Sequence, residues 1–235
     1  MGPETKQRVQ VVLAVAIAVA AVRAGYIFYE RHESDVRWAA KPGPPPLNPD
    51  YYVVPKKLYP YDLKSARQLT QQPVWVKEGY RYTVYPYRNG HTDFSYEAGL
   101  LLPIQKLQIK NVVLDVTPGA PDQHQLMAVF EDEGKLYAFP IGSVKNRNYQ
   151  IYSDEMLYIQ DPHELYKHWP ADVWQAIEQH EVKPGMNELQ ADFAVGMGIP
   201  EAGGGETKIV NYPNGGKPLR ITYHDGKAVE IKAGA

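Results

Sequence analysis

The histidines His163 and His168 come nearest to a metal-binding motif. The segment between them reads His-Glu-Leu-Tyr-Lys-His. A zincin helix needs histidines four residues apart, so that both imidazoles lie on one face. Here the second imidazole follows five positions later, which turns it about 140° around a helix. A looser metal site that also uses His180, in a metal-dependent hydrolase, remains one alternative function.

Other segments that resemble catalytic motifs lack an essential part. Gly196-Met197-Gly198 ends a predicted helix and has no third glycine, so it does not match a dinucleotide loop. Gly203–Gly205 is not followed by the Gly-Lys-Ser/Thr of a phosphate loop. Asp154 and Glu155 are neighbours, which point to opposite faces of a strand. We therefore predict a non-enzymatic protein with no catalytic residue, no metal and no cofactor.

Tyrosine is unusually frequent, with 18 Tyr against 5 Phe. Four tyrosines fall close together in a strand-like segment: Tyr80, Tyr82, Tyr85 and Tyr87. In an amphipathic sheet, a tyrosine ring packs on the half-buried face while its hydroxyl reaches water. The same residues are candidates for an interaction surface, and a glycan-binding module is a further alternative function.

Composition excludes several classes of protein. The 235 residues include 25 Lys and Arg, 27 Asp and Glu, and no Cys, which gives a net charge of −2. A nucleic-acid binder normally has a basic excess, so we expect no nucleic-acid partner. Without cysteine, disulfides, iron–sulfur clusters, thiolate zinc sites and an acylated lipoprotein anchor are excluded.

The N-terminal segment predicts a membrane helix. The stretch from Val11 to Tyr29 is apolar except for Arg23, and as a helix it spans about 28 Å. This length is close to the roughly 30 Å of the hydrocarbon core. Lys6 and Arg8 precede it, and a basic flank on this side places the N-terminus in the cytoplasm.

Two interpretations of this segment stay open. In a signal-anchor of the bacterial inner membrane, Tyr26 and Tyr29 lie at the far interface, and Arg23 snorkels or faces a partner helix. In a cleavable signal peptide, Val11–Val22 is the apolar region and cleavage follows Ala24. Both place the body of the protein in the periplasm or outside the cell.

Composition shifts divide the chain into four predicted segments. Residues 1–30 form the anchor or signal peptide, and residues 31–72 form a proline-rich linker. Within this linker, Lys41–Pro46 is expected to run as extended polyproline II. Residues 73–160 form a β-rich domain, and residues 161–235 a domain of two helices and three strands.

The β-rich segment shows short apolar stretches separated by turns about every ten residues. This spacing predicts a small antiparallel barrel of the SH3-like type. Asp132-Glu133-Gly134 is the expected hairpin loop between two of its strands. The predicted strands lie around residues 74–76, 80–84, 107–116, 126–130, 136–141, 149–152 and 156–159.

Capping patterns mark the helices of the last segment. Asp161 with Glu164 fits a capping box, and Pro162 fits the first helical position of a helix through His168. A second helix opens at Pro170, and a third is capped by Asn187 with Gln190. The apolar residues expected to face inward are Val173, Trp174 and Ile177 on one helix and Leu189, Phe193 and Met197 on the next.

Three strands follow the helices. They cover residues 208–212, 219–223 and 228–231, joined by turns at Asn214–Gly216 and Asp225-Gly226. Asn-Gly and Asp-Gly are the strongest short-range hairpin signals. The fold class is therefore α+β, and this part is expected to be a helical pair on a three-stranded antiparallel meander.

The C-terminal part resembles the SmpA/OmlA module, a lipoprotein module of the bacterial barrel-assembly machinery. The matching positions are Gly185, Met186, Gln190, Gly198 and Pro200, over roughly 50 of 235 residues. The chain lacks the lipidated cysteine of that family. The resemblance implies an envelope module that contacts partners. We therefore predict a membrane-anchored envelope protein that acts as a scaffold or accessory subunit for a partner protein.

Overall fold

A computed structural model describes residues 3–39, 47–79, 82–201 and 207–234 of the chain. It divides into two compact units, Met1–Asn48 and Pro49–Ala235. We refer to the second unit as the body. The segment predicted to form polyproline II, Lys41–Pro46, lies outside the described residues.

The first unit contains one long helix, α1 (Pro3–Ala39). Its segment Leu13–Glu33 is long and apolar enough to cross a membrane, with a mean hydropathy of 1.6 and no buried part. The predicted apolar helix is confirmed. The residues predicted to contact the membrane are all exposed on it: Val11, Val22, Arg23, Tyr26 and Tyr29.

The body combines short helices with antiparallel strands. Its α-helices are α2 (Leu63–Ala66), α3 (Ser153–Met156), α4 (Pro162–Leu165), α5 (Ala171–Glu178) and α6 (Glu188–Val195), with 3₁₀ helices at Pro49–Tyr52, Arg67–Gln71 and Asn214–Gly216. Its strands are β1 (Val74–Val76), β2 (Thr83–Arg88), β3 (His91–Thr92), β4 (Gly99–Leu100), β5 (Lys106–Leu107), β6 (Ile109–Thr117), β7 (Ala120–Asp132), β8 (Lys135–Lys145), β9 (Asn148–Ile151), β10 (Leu157–Tyr158), β11 (Ile199–Pro200), β12 (Thr207–Tyr212), β13 (Leu219–His224) and β14 (Lys227–Ala233).

The largest sheet has seven strands in the order β3-β2-β8-β7-β6, with β4 beside β2 and β9 beside β8. Its long hairpin, β7–β8, turns at Glu133 and Gly134, whose φ angles are 47° and 74°. Two successive positive φ angles make the type I′ turn that matches strand twist. The predicted hairpin loop at Asp132-Glu133-Gly134 is confirmed.

Two smaller sheets lie in the described part of the body. β10-β1-β5 is three-stranded, and β11-β12-β13-β14 is four-stranded. The predicted meander is confirmed as β12, β13 and β14. β11 is an additional strand that was not predicted, since Pro200 signals a helix stop in the sequence. The proline is tolerated because β11 is an edge strand, where a missing N–H breaks no ladder hydrogen bond.

The described sheets are all antiparallel, and none of them closes into a barrel. The general α+β class is confirmed, whereas the barrel is not observed. β7 runs for 13 residues and β8 for 11, longer than the apolar stretches that predicted them. Polar residues such as Gln123 and Gln125 continue the ladder opposite Lys145 and Ser143, in segments that lie between the predicted strands.

The helices of the C-terminal part agree with most of the capping patterns. Asn187 and Gln190 form the predicted reciprocal cap of α6. Asp161 caps α4 by accepting from the His163 N–H at 2.9 Å, and α4 ends at Leu165, well before His168. The inward position expected for Met197 is wrong, because Gly196 ends α6 first, and Met197 is 37% exposed.

Two main hydrophobic clusters hold the body together. The first is rich in aromatic residues from α4 to α6, including Trp169, Trp174 and Phe193. The second lies against the seven-stranded sheet and includes Val112 and Phe139. We call them the aromatic cluster and the sheet cluster. A third, smaller cluster around Met127, Val129 and Ala138 covers part of the opposite sheet face.

Candidate functional site

An open groove of about 550 Å³ is the candidate binding site of the body. We call it the apolar groove and define its apolar wall by Leu100, Leu102, Pro103, Met197 and Ile199. The wall comes from β4 and the loop after it, and from the segment between α6 and β12. Leu101 belongs to the sheet cluster and Val195 to the aromatic cluster, so the groove lies at the seam between them.

The apolar wall is exposed to an extent that needs an explanation. Leu102 is 48% exposed and Ile199 is 56% exposed. Within the described residues, β4 pairs only with β2, and β11 pairs only with β12. Each of these two-residue strands therefore leaves one edge open beside exposed apolar side chains, an arrangement that favours association with another chain.

A glycine holds one wall of the apolar groove against the four-stranded sheet. A Cβ atom on Gly198 would contact Val210 and come within 2.8 Å of the Tyr212 ring. Only glycine fits this approach, and Gly198 lies between Met197 and Ile199. The local sequence therefore presents two apolar side chains on either side of a backbone that is pinned to the sheet.

The polar lining of the apolar groove is basic. Lys77 is partly buried, and its Nζ donates to the backbone oxygen of Asp154 at 2.6 Å and lies 5.0 Å from the Tyr158 ring centre. Burial lowers the pKa of Lys77. Lys217 is an exposed second cation in the lining. Burial also raises the pKa of Tyr82, which lines the same groove, to about 12.

A buried polar network lies beside Gly198. The Gly198 N–H donates to Oδ1 of Asp192 at 3.4 Å, and the hydroxyls of Tyr212 and Tyr223 are 2.8 Å apart. Burial raises the pKa of the Asp192 carboxyl to about 7, against partial compensation by hydrogen bonds from Gly198 and Tyr212. The pKa values of both tyrosines are also raised by burial.

Asp50 ties the start of the body to the aromatic cluster. Its Oδ1 accepts from His168 Nε2 at 2.6 Å and from Trp169 Nε1 at 2.7 Å, and its Oδ2 accepts from Asn187 Nδ2 at 3.0 Å. Its side chain is only 6% exposed. Burial opposes ionisation, but these hydrogen bonds and the nearby His168 outweigh burial, so the pKa of Asp50 is lowered.

The structure does not bring the three candidate metal-binding histidines together. His163 lies between Asp161 and Glu178 and stacks on a tryptophan, with ring centres 4.0 Å apart. His168 contacts Asp50, while His180 Nδ1 lies 3.0 Å from the oxygen of Ala194, in the wall of the apolar groove. Across residues 3–39, 47–79, 82–201 and 207–234, no three His, Asp or Glu side chains are grouped to hold a metal.

The four candidate tyrosines do not form one described face. Tyr82 packs against the sheet cluster and lines the apolar groove. Tyr85 and Tyr87 pack against the small cluster on the other side of the sheet, where Tyr85 meets Phe94 edge to face at 5.2 Å. Tyr80 lies outside the described residues. Alternation along β2 separates Tyr82 from the other two.

The apolar wall of the groove was missed in the sequence, although Tyr82 and His180, which line the same groove, were candidate site residues. Leu100, Leu101 and Leu102 form an apolar run outside any strong strand pattern, and Ile199 follows a helix stop. Apolar residues in such connecting segments could have indicated a binding surface. Loops normally carry polar residues, and binding residues are often found on them. Asp50 gave no signal, since its partners lie 118 and 119 positions away.

The positions that resemble the SmpA/OmlA module have local structural roles. Gly185 has a φ of 88°, Met186 is buried, and Gln190 completes the cap of α6. Gly198 makes the close approach described above, and Pro200 lies on an edge strand. No family model, curated protein or solved structure matches the chain. The resemblance therefore stays a prediction.

Proposed function

We propose that the protein is a membrane-anchored accessory subunit without catalytic activity, whose body binds a partner protein through the apolar groove. In this proposal, α1 crosses a bacterial inner membrane with its N-terminus in the cytoplasm, and the body lies in the periplasm. Cleavage of the segment would give a periplasmic or secreted form with the same binding surface. The observation that carries the proposal is the exposed apolar wall between two open strand edges.

The membrane part of the proposal rests on α1. Leu13–Glu33 has the length and hydropathy of a membrane span. Lys6 and Arg8 precede the apolar segment, and basic residues stay on the cytoplasmic side. Tyr26 and Tyr29 stand near the other end of the span, where aromatic residues favour the interface.

The binding part of the proposal rests on the chemistry of the groove lining. Its described residues include no Ser, Thr, Asp or Glu, so a nucleophile paired with a carboxylate is not assembled there. Exposed leucine, methionine and isoleucine side chains beside an open strand edge suit an extended peptide, which adds a strand and places alternate side chains in pockets.

The test compares groove variants in membranes of the source bacterium. We expect the full-length protein, solubilised in mild detergent, to retain one partner in a fixed ratio. Leu102→Glu and Ile199→Asp should each lose it, because they place a charge on the apolar wall. Val229→Glu is the matched control, since Val229 is also 56% exposed but lies on β14, outside the groove.

The outcome of the control decides the interpretation. Loss of the partner from the two groove variants and its retention by Val229→Glu would support the proposal. Equal retention by all variants would refute a role for the apolar groove. Thermal unfolding of each variant checks that the body is folded, since all three residues are exposed and a charge there should disturb packing little.

A further inference from the structure

The charge pattern of the apolar groove indicates the chemistry of its occupant, an inference that rests on the proposed function. Lys77 Nζ has no carboxylate oxygen within 4 Å in the described residues. Its contacts are a backbone oxygen and the face of a tyrosine ring. A partly buried ammonium with only neutral partners is costly unless a negative charge joins it.

The acidic residues near Lys77 are engaged elsewhere or remain at a distance. Glu78 accepts from the Tyr158 hydroxyl at 3.0 Å, and the Asp154 carboxylate lies 3.7 Å from Lys57 Nζ. Glu78, Asp154 and Glu155 all favour the charged form of Lys77, but burial outweighs them and lowers its pKa. Because Lys77 lines the groove and its own contacts are a backbone oxygen and a tyrosine ring, its ammonium can pair with an anion bound there.

One more residue of the described lining carries a positive charge. Lys217 is this second ammonium, and the other polar side chains of the lining are those of Tyr82, His180 and Asn214. The same lining includes no Asp or Glu. Charge complementarity thus favours an occupant with at least one negative group, and the apolar wall favours hydrocarbon groups next to that charge.

The strand edges favour a polypeptide over a lipid. The open edge of β4 can pair with an extended backbone, whereas Pro200 removes a donor from β11. β11 would then contribute side-chain contacts from Ile199. A hydrocarbon chain would use neither the peptide groups of β4 nor the alternation of the side chains that flank them.

We infer that the apolar groove binds an extended, apolar segment of a partner protein that carries a carboxylate, with the carboxylate at Lys77 and the apolar side chains against Leu102, Met197 and Ile199. The segment pairs with the open edge of β4. The carboxylate is either the C-terminus of the segment or an acidic side chain within it.

The experiment uses full-length protein in nanodiscs and three pools of random octapeptides. The first pool has free C-terminal carboxylates and no Asp or Glu, the second has the same residues with C-terminal amides, and the third is amidated with one central Glu. Peptides retained by loaded nanodiscs but not by empty nanodiscs are identified by mass spectrometry, and the affinities of the enriched peptides are measured by fluorescence anisotropy.

We expect carboxylate peptides to bind about 10- to 100-fold more tightly than their neutral counterparts, the effect of one charge-assisted hydrogen bond. Lys77→Met should abolish this preference while retaining the weaker binding of amides. Lys64→Met, a control at an exposed lysine of α2 outside the groove, should preserve it. Lys77→Gln is a second variant in case Lys77→Met does not fold.

The other outcomes separate this inference from the proposed function. Equal enrichment of all pools would overturn the carboxylate and leave an apolar peptide groove. Two results would refute the inference that the occupant is a polypeptide. One is that no peptide is retained, and the other is that dodecanoate, at a concentration below that of the peptides, displaces every retained peptide. The membrane-partner experiment with Leu102→Glu would then decide the proposed function by itself.

Discussion

Replacing Asp192 with asparagine should stabilise the body at pH 8 and reduce the pH dependence of its unfolding. Asp192 lies on α6 beside Gly198 and the buried hydroxyl of Tyr212. Burial raises its pKa from an ordinary 3.8 to about 7. Asparagine has nearly the same shape and still offers an oxygen to the Gly198 N–H, but it cannot ionise.

The raised pKa sets the sign of the effect. Between pH 3.8 and about 7, the folded protein holds a proton on Asp192 that the unfolded chain has released. The free energy of unfolding contributed by this group is therefore fully present below pH 3.8 and is lost as pH rises through about 7. The difference between these two pKa values corresponds to a loss of about 4 kcal/mol above pH 7.

The assay is urea unfolding in mild detergent at pH 5, 6, 7 and 8, followed by tryptophan fluorescence. Trp75, Trp169 and Trp174 are buried in the body and report its unfolding. Since histidines also titrate in this range, the quantity to compare is the difference between Asp192→Asn and wild type at each pH. We expect this difference to grow by roughly 2–3 kcal/mol from pH 5 to pH 8.

Glu188→Gln is the matched control on the same helix. Glu188 is 38% exposed and pairs with Lys208 Nζ at 2.6 Å, and such surface pairs contribute about 0–1 kcal/mol. This variant should be slightly destabilised and should keep most of the pH dependence of wild type, because burial raises the pKa of Asp192 more than the charge of Glu188 does. If the difference between Asp192→Asn and wild type is the same at pH 5 and pH 8, the pKa of Asp192 is not raised by burial in the folded body.

Three further substitutions test other parts of the body by urea unfolding. Asp50→Ala should cost about 2–4 kcal/mol at pH 7, because Trp169 and Asn187 lose their acceptor. Since the pKa of Asp50 is lowered in the folded protein, this stabilisation is present above pH 3.8 and is lost as pH falls through the pKa of the folded state. The stability of the variant should therefore approach that of wild type in acid. Gly198→Ala should cost about 1–3 kcal/mol through the contact with Tyr212, and an unchanged midpoint would contradict that packing. Phe193→Ala should cost about 3–5 kcal/mol, because the ring is fully buried in the aromatic cluster, and a loss below 1 kcal/mol would show that the cluster is not packed as described.

Local signals predicted the parts of the fold that neighbouring residues determine. The cap of α6 depends on Asn187 and Gln190, which are three positions apart. The turn at Asp225 and Gly226 depends on two adjacent residues with positive φ angles of 49° and 72°. The apolar helix α1 follows from length and composition. In each case the physical cause lies within one turn or one short segment.

The arrangement of the strands could not be predicted in the same way. The sequence pattern breaks where polar residues of β7 meet polar residues of β8, such as Gln125 opposite Ser143. Strand pairing at these positions uses hydrogen bonds between backbone groups, which form whether or not the side chains are apolar. A prediction based on apolar stretches therefore made both strands too short, and short strands favour a small barrel over an open seven-stranded sheet.

The apolar groove is a result of tertiary packing and of strand length together. Leu102 and Ile199 become neighbours only because two separate clusters meet at this seam. β4 and β11 are two residues long, so neither sheet extends far enough to cover the apolar side chains beside it. If stability and solubility were the only requirements, polar or charged residues would be expected at such open strand edges. Leucine, isoleucine and a partly buried lysine at the same place cost stability in the isolated chain. In the proposed complex, an apolar segment that carries a carboxylate would offset that cost by supplying the missing strand and the missing negative charge together.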